Sequence, residues 1–135
     1  MAEFERGLID TSVVIDLESI HPDGLPNEMA ISAITLAELS AGPLATLSAD
    51  ERARRQVRLQ LAEANFEAIP FDANCARAYG RIYGAVSAVG RKPRGARAVD
   101  LLIAATALGI GLPLFTRNPS DFAGLQELVE IIAVG

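Results

Sequence analysis

A chain of 135 residues is the size of one ordinary domain and is expected to bury roughly 68–70% of its unfolded surface, so one hydrophobic core suffices and residues 1–135 read as a single domain. Half of the residues are apolar, yet no unbroken apolar run nears the ~18 residues of a membrane span, and "MAEFERG" leads into too short an apolar run for a signal peptide, so a cytoplasmic protein with no membrane partner is expected. The formal charge of −5 argues against a nonspecific nucleic-acid binder held by an overall basic surface, and one cysteine (Cys75) with one histidine (His21) excludes an internal disulfide and argues against a zinc site.

In chain order, short apolar runs alternate with longer helical patterns. Gly7–Asp10 reads as a strand and Ser12–Ser19 as a short helix; Met29–Ala33 is the next strand, and a helix runs from Leu36 to Ala41. Asp50–Asn65 is a charged helix with Val57, Leu59 and Leu61 assigned to its inner side, and it leads into a strand over Phe66–Phe71. Ala73–Val89 places Ala76, Tyr79, Ile82, Tyr83 and Val86 at helical spacing, and Ala98–Leu108 is almost wholly apolar after Asp100. Strands over Leu112–Thr116 and Val129–Val134 close the pattern. Such alternation predicts a three-layer α/β domain, a mainly parallel five-stranded sheet flanked by helices. Ligands in such sheets bind outside the carboxyl ends of the strands, where the strand order reverses.

Four acids fall at that predicted edge, and each also has an ordinary explanation. Asp10 ends the first strand, where it reads equally as a helix N-cap. Glu38 lies one turn into the helix after "MAISAI"; Thr35-x-x-Glu38 is also a capping-box pattern, like Ser48-x-x-Glu51 ahead of the charged helix. Asp100, in "AVDLLIAATAL", enters an apolar helix where an unpaired ionised carboxylate would cost several kcal/mol, and Arg97 three residues earlier is a candidate ion-pair partner. Asp121 follows Asn-Pro-Ser, a turn sequence. Neighbouring carboxylates about 4 Å apart repel by roughly 4 kcal/mol at an effective dielectric of 20. A hard divalent cation is the economical reason to gather them. Asp16, farther along the first helix, reads as a helix residue without a part in the chemistry.

The set "IDTSVVID", "TLAEL", "VDLLIAATAL" and "TRNPSDF", in that order and spacing, resembles the PIN-domain ribonucleases, most closely the VapC-type toxins of bacterial toxin–antitoxin pairs. The resemblance implies a metal-dependent endoribonuclease using Mg²⁺ or Mn²⁺, with Asp10, Glu38, Asp100 and Asp121 as its acidic quartet. It further implies that Ser12, Thr116 and Asn118 line the same pocket. RNA is then the substrate, a VapB-like antitoxin the cognate partner, and a homodimer the expected assembly. Arg91, Lys92, Arg94 and Arg97, upstream of Asp100, are placed either to meet phosphates or to form a solvated loop with one structural arginine. Leu36, Leu39 and the Leu44–Leu47 stretch offer either an apolar groove for the antitoxin or core. A housekeeping RNA-processing nuclease and a non-catalytic binding module of the same fold are the alternatives; loss of an acid would mark the latter, and none is missing.

Overall fold

The computed structural model describes residues 3–91 and 95–135; Lys92 and Arg94 of the basic run lie outside the described residues. Strands β1 (Arg6–Ile9), β2 (Glu28–Ser32), β3 (Glu67–Ile69), β4 (Leu114–Thr116) and β5 (Ile131–Ala133) form one sheet in the order β3-β2-β1-β4-β5. Every neighbouring pair is parallel, and the helices are α1 (Thr11–Ile15), α2 (Ala33–Ala41), α3 (Ala49–Asn65), α4 (Ala73–Ala88) and α5 (Ala96–Ile110). This is the expected α/β architecture, met in the expected chain order. The chain runs outward from β1 to β2 and β3, then returns to the other side of β1 for β4, so strand order reverses between β1 and β4. Among the described residues no helix is long and apolar enough to cross a membrane.

Successive side chains of a strand point to opposite faces, and the central strands supply both layers. Leu8, Ala30 and Leu114 join the core formed with α4 and α5, while Ile9, Ile31 and Phe115 join the one formed with α1, α2 and Ala62 of α3. Two glycines let these layers close. A Cβ at Gly7 would run into the Phe115 ring, and one at Gly109 of α5 would stand 3.0 Å from Cys75 Cα of α4. The buried thiol of Cys75 is therefore part of a helix contact.

Several predicted details change, each for a local reason. Helix α1 stops at Ile15 with Asp16 as its C-cap, and Leu17–Ser19 is a separate 3-10 turn. Helix α2 begins at Ala33, three residues before the predicted start, because Ser32 is its N-cap and its hydroxyl accepts from the Thr35 N–H at 2.9 Å. Thr35 is thus no cap, and the Thr35-x-x-Glu38 capping box does not exist. The Ser48 cap does form, accepting from the Glu51 N–H at 3.2 Å, but Glu51 turns its carboxylate to Arg54 and Arg55 instead of back to the cap.

In α3, Val57 and Leu61 are exposed and only Leu59 packs inward, beside buried Ala62; residues four apart share a face, and Leu59 lies about 200° round the helix from Val57. The exposed pair lines a groove of about 870 Å³ with Val14 and Leu17. Helix α4 buries Cys75, Ala78, Ile82 and Val86, leaving Ala76 and Tyr83 exposed. Leu39 is core with Leu36 packed on it, whereas Leu44 and Leu47 are exposed.

Candidate active site

Parallel pairing of β1 with β2 and β4 brings three carboxyl ends to one rim. Asp10 follows β1 directly, its N–H bonded to the Phe115 carbonyl at 3.0 Å. It is indeed the N-cap of α1: its Oδ1 accepts from the Val13 N–H at 3.2 Å and from the Ser12 hydroxyl at 2.6 Å. The capping explanation and the rim position are therefore both true of one residue. Asp10 is almost fully buried. Burial pushes its carboxyl above the usual carboxylate range, and hydrogen bonds from Ser12, Thr116 and Val13 only partly oppose that rise.

Asp100 enters from α5, partly buried at the helix's N-terminal end. Its carboxyl is pushed up to about 6, first by burial, then by the negative charges of Asp121, Asp10 and Glu38, against a smaller downward pull from Arg97. The other three predicted acids thus all act on this one carboxyl. The expected Arg97–Asp100 ion pair is not formed; Arg97 instead makes a long 3.5 Å contact to the Asp121 carbonyl. Among the described residues, no three His, Cys, Asp or Glu side chains stand close enough to hold a metal as they are. The acids share an electrostatic field without closing into a ligand shell.

Glu38 projects from α2 and is exposed, yet it is held: the Thr11 hydroxyl donates to its Oε1 at 2.6 Å. Asp121 sits in the 3-10 turn Pro119–Phe122 that crosses from β4 towards β5, capped by Asn118. The turn reading of Asp121 is correct and does not remove it from the rim. Thr116 is fully buried and accepts from the Asn118 N–H at 3.0 Å, while Asn118 itself is exposed. Ser12 is locked twice, donating to Asp10 and accepting from the Arg117 N–H at 3.1 Å. Of the basic run, Arg91 donates to the Ser120 carbonyl at 3.2 Å, beside Asp121 in the same turn.

Sequence reasoning gave four participants no part in the site. Thr11 links Glu38 to Thr35, with its Oγ1 3.1 Å from Thr35 Oγ1; the "DTS" triplet after a strand-end acid is the available signal. Ser32 and Thr35 are buried hydroxyls at the root of α2. Arg117 forms an ion pair with Asp16 at 2.9 Å, so Asp16, though outside the acidic group, ties the end of α1 to the segment after β4.

The PIN domain family model matches residues 7–127. Ribonuclease VapC5 of Mycobacterium tuberculosis is 38% identical over 133 residues, covering 95% of each chain. The crystal structure of VapBC-5 from Mycobacterium tuberculosis, a member of the VapBC family of toxin–antitoxin systems, matches with a TM-score of 0.85 and 37% identity, over 96% of this chain and 99% of that one. VapBC2 from Rickettsia felis, bound to a DNA fragment from their promoter, matches with a TM-score of 0.73 and 27% identity, over 93% and 98% of the two chains.

Proposed function

The chain belongs to the PIN-domain family, and on that premise we infer that it is a VapC-type endoribonuclease, the toxin of a VapBC-type toxin–antitoxin pair that inhibits translation or growth. The observation that supports the catalytic reading is that β1, β2 and β4 end at one rim, together with the upward push of Asp121, Asp10 and Glu38 on the Asp100 carboxyl. An all-oxygen donor set of one sign, one member buried, fits a hard divalent cation, Mg²⁺ or Mn²⁺. Asp10 and Asp100 are the principal ligands, Glu38 a ligand or the group that positions the attacking water, and Asp121 an outer ligand or a ligand to a second ion. When bound, the cation supplies an activated water and offsets charge on the phosphodiester.

The remaining steps belong to the chain's own residues. Ser12 and Val13 fix the orientation of the Asp10 carboxylate through their hydrogen bonds. Thr116 and Asn118 shape the wall after β4, and Arg97 meets the RNA phosphate beside the acids. RNA is the substrate, a VapB-like antitoxin is the cognate partner, the toxin is a cytoplasmic homodimer, and residues 1–135 act as one PIN domain; relatives named Ribonuclease VapC and crystal structures of VapBC assemblies support this reading. Expression of the protein and of Asp10→Asn, followed by mapping of RNA ends with Mg²⁺, Mn²⁺ or chelator, tests it. Asparagine keeps the N-cap, so the fold persists while cleavage falls by roughly two orders of magnitude or more. Unchanged cleavage and growth arrest in the variant would sink the mechanism.

A further inference from the structure

Glu38 is exposed on α2, and a free glutamate has several rotatable bonds to lose before it holds any one direction. In this protein three hydroxyls reach it in series. Ser32 Oγ stands 3.3 Å from Thr35 Oγ1, Thr35 Oγ1 stands 3.1 Å from Thr11 Oγ1, and Thr11 Oγ1 stands 2.6 Å from Glu38 Oε1. Each hydroxyl owns one hydrogen. A carboxylate oxygen only accepts, so the short last contact uses the Thr11 hydrogen. Thr11 must then accept from Thr35, and Thr35, its own hydrogen spent, must accept from Ser32, whose oxygen also accepts from the Thr35 N–H at 2.9 Å. Proton counting leaves this one direction for the whole chain.

We propose that Ser32, Thr35 and Thr11 form a one-way hydroxyl chain, rooted in the N-cap of α2, whose function is to hold Glu38 Oε1 and aim its other oxygen at the cation site. Thr11 and Thr35 are positioning residues: they act through Glu38 and touch neither ion nor RNA. The chain spans two elements, since Thr11 opens α1 directly after Asp10 while Ser32 and Thr35 begin α2. It therefore couples the position of Glu38 to that of Asp10. Two hydroxyls of the chain are fully buried, and aligned bonds in such surroundings strengthen one another. The inference rests on the cation reading of the acidic rim.

Titration of the purified, RNA-free protein with Mn²⁺, followed by calorimetry, tests it without reference to cleavage. Thr11→Val, which keeps the shape and removes the hydroxyl, is expected to weaken Mn²⁺ binding by roughly 10–100-fold, and Thr11→Ser to stay close to the parent. Thr35→Val weakens it in the same direction. In a Glu38→Gln background, Thr11→Val adds no further loss if both act on one group. Wild-type Mn²⁺ affinity in Thr11→Val, alongside weakened affinity in Asp10→Asn, overturns the hydroxyl chain and spares the cation site. Unchanged affinity in both variants overturns the cation site and the chain together.

Discussion

Glu51 and Asp100 are both carboxylates near the beginning of a helix, and their surroundings differ in kind. Glu51, in the first turn of α3, receives Arg54 at 2.9 Å and Arg55 at 3.1 Å, and those two guanidiniums hold its carboxyl below the usual range. Asp100, in α5, has three other acids as its electrostatic neighbours and a carboxyl pushed up to about 6. One helix start answers its negative charge from within the chain; the other collects negative charge and leaves the answer to something outside. An acid that folding alone would select against is the one to examine for chemistry.

Substitutions at the two acids sharpen this contrast. Asp100→Asn is expected to lower RNA cleavage by roughly two orders of magnitude while raising the stability of the metal-free protein at pH 7.5. Its full shift of about two pKa units corresponds to ~3 kcal/mol, which partial solvent screening reduces to about 1–2 kcal/mol. Thermal unfolding in chelator measures it, and a destabilised Asp100→Asn protein would break the comparison.

The pH dependence has a definite sign. Because the folded pKa of Asp100 lies above its usual 3.8, at about 6, the folded state holds the extra proton between those values. The metal-free protein therefore loses stability as pH rises from about 4 to 6. Denaturant melts across that window should show the loss in the parent and a flatter profile in Asp100→Asn. Mn²⁺ at about 100 times its dissociation constant should return ~2.7 kcal/mol at neutral pH, read as a rise in melting temperature that chelator reverses.

Smaller effects are expected where charges are already answered. Arg117→Ala removes the partly exposed pair with Asp16 and should cost about 0.5–1 kcal/mol, measured by chemical denaturation. Glu51→Gln should move the melting temperature by less than about 2 °C and leave RNA cleavage unchanged. A loss of cleavage there would mean that the two acids are not the opposites described.

The number, order and parallel character of the strands were legible because strands buried on both faces read as apolar runs and alternate with helices. Asp10, Glu38 and Asp121 were legible as neighbours of one rim, since the topology itself brings the ends of β1, β2 and β4 together, whereas Asp100 reaches them from α5. Other features depend on facts that periodicity does not carry. Val57 and Leu61 satisfy an apolar pattern but face a groove instead of the core, because two stripes on α3 compete and only Leu59 and Ala62 meet α2 and the sheet. The Thr35 capping pattern failed because Ser32, three residues earlier, takes the cap. Thr11 joins Glu38 across 27 positions, a contact that no local spacing announces. Asp16 read as a bare helix residue because its partner Arg117 is a hundred residues away in the chain and arrives only with β4.

The sheet ends in β3 on one side and β5 on the other, each only three residues long, and β3 runs directly into Pro70. A strand that short offers another chain few open amides and carbonyls, and a proline beside it donates none. Extension of the sheet by a second molecule is therefore poorly templated. Its helical surfaces carry no such limit, so a second molecule is better met there than along the sheet.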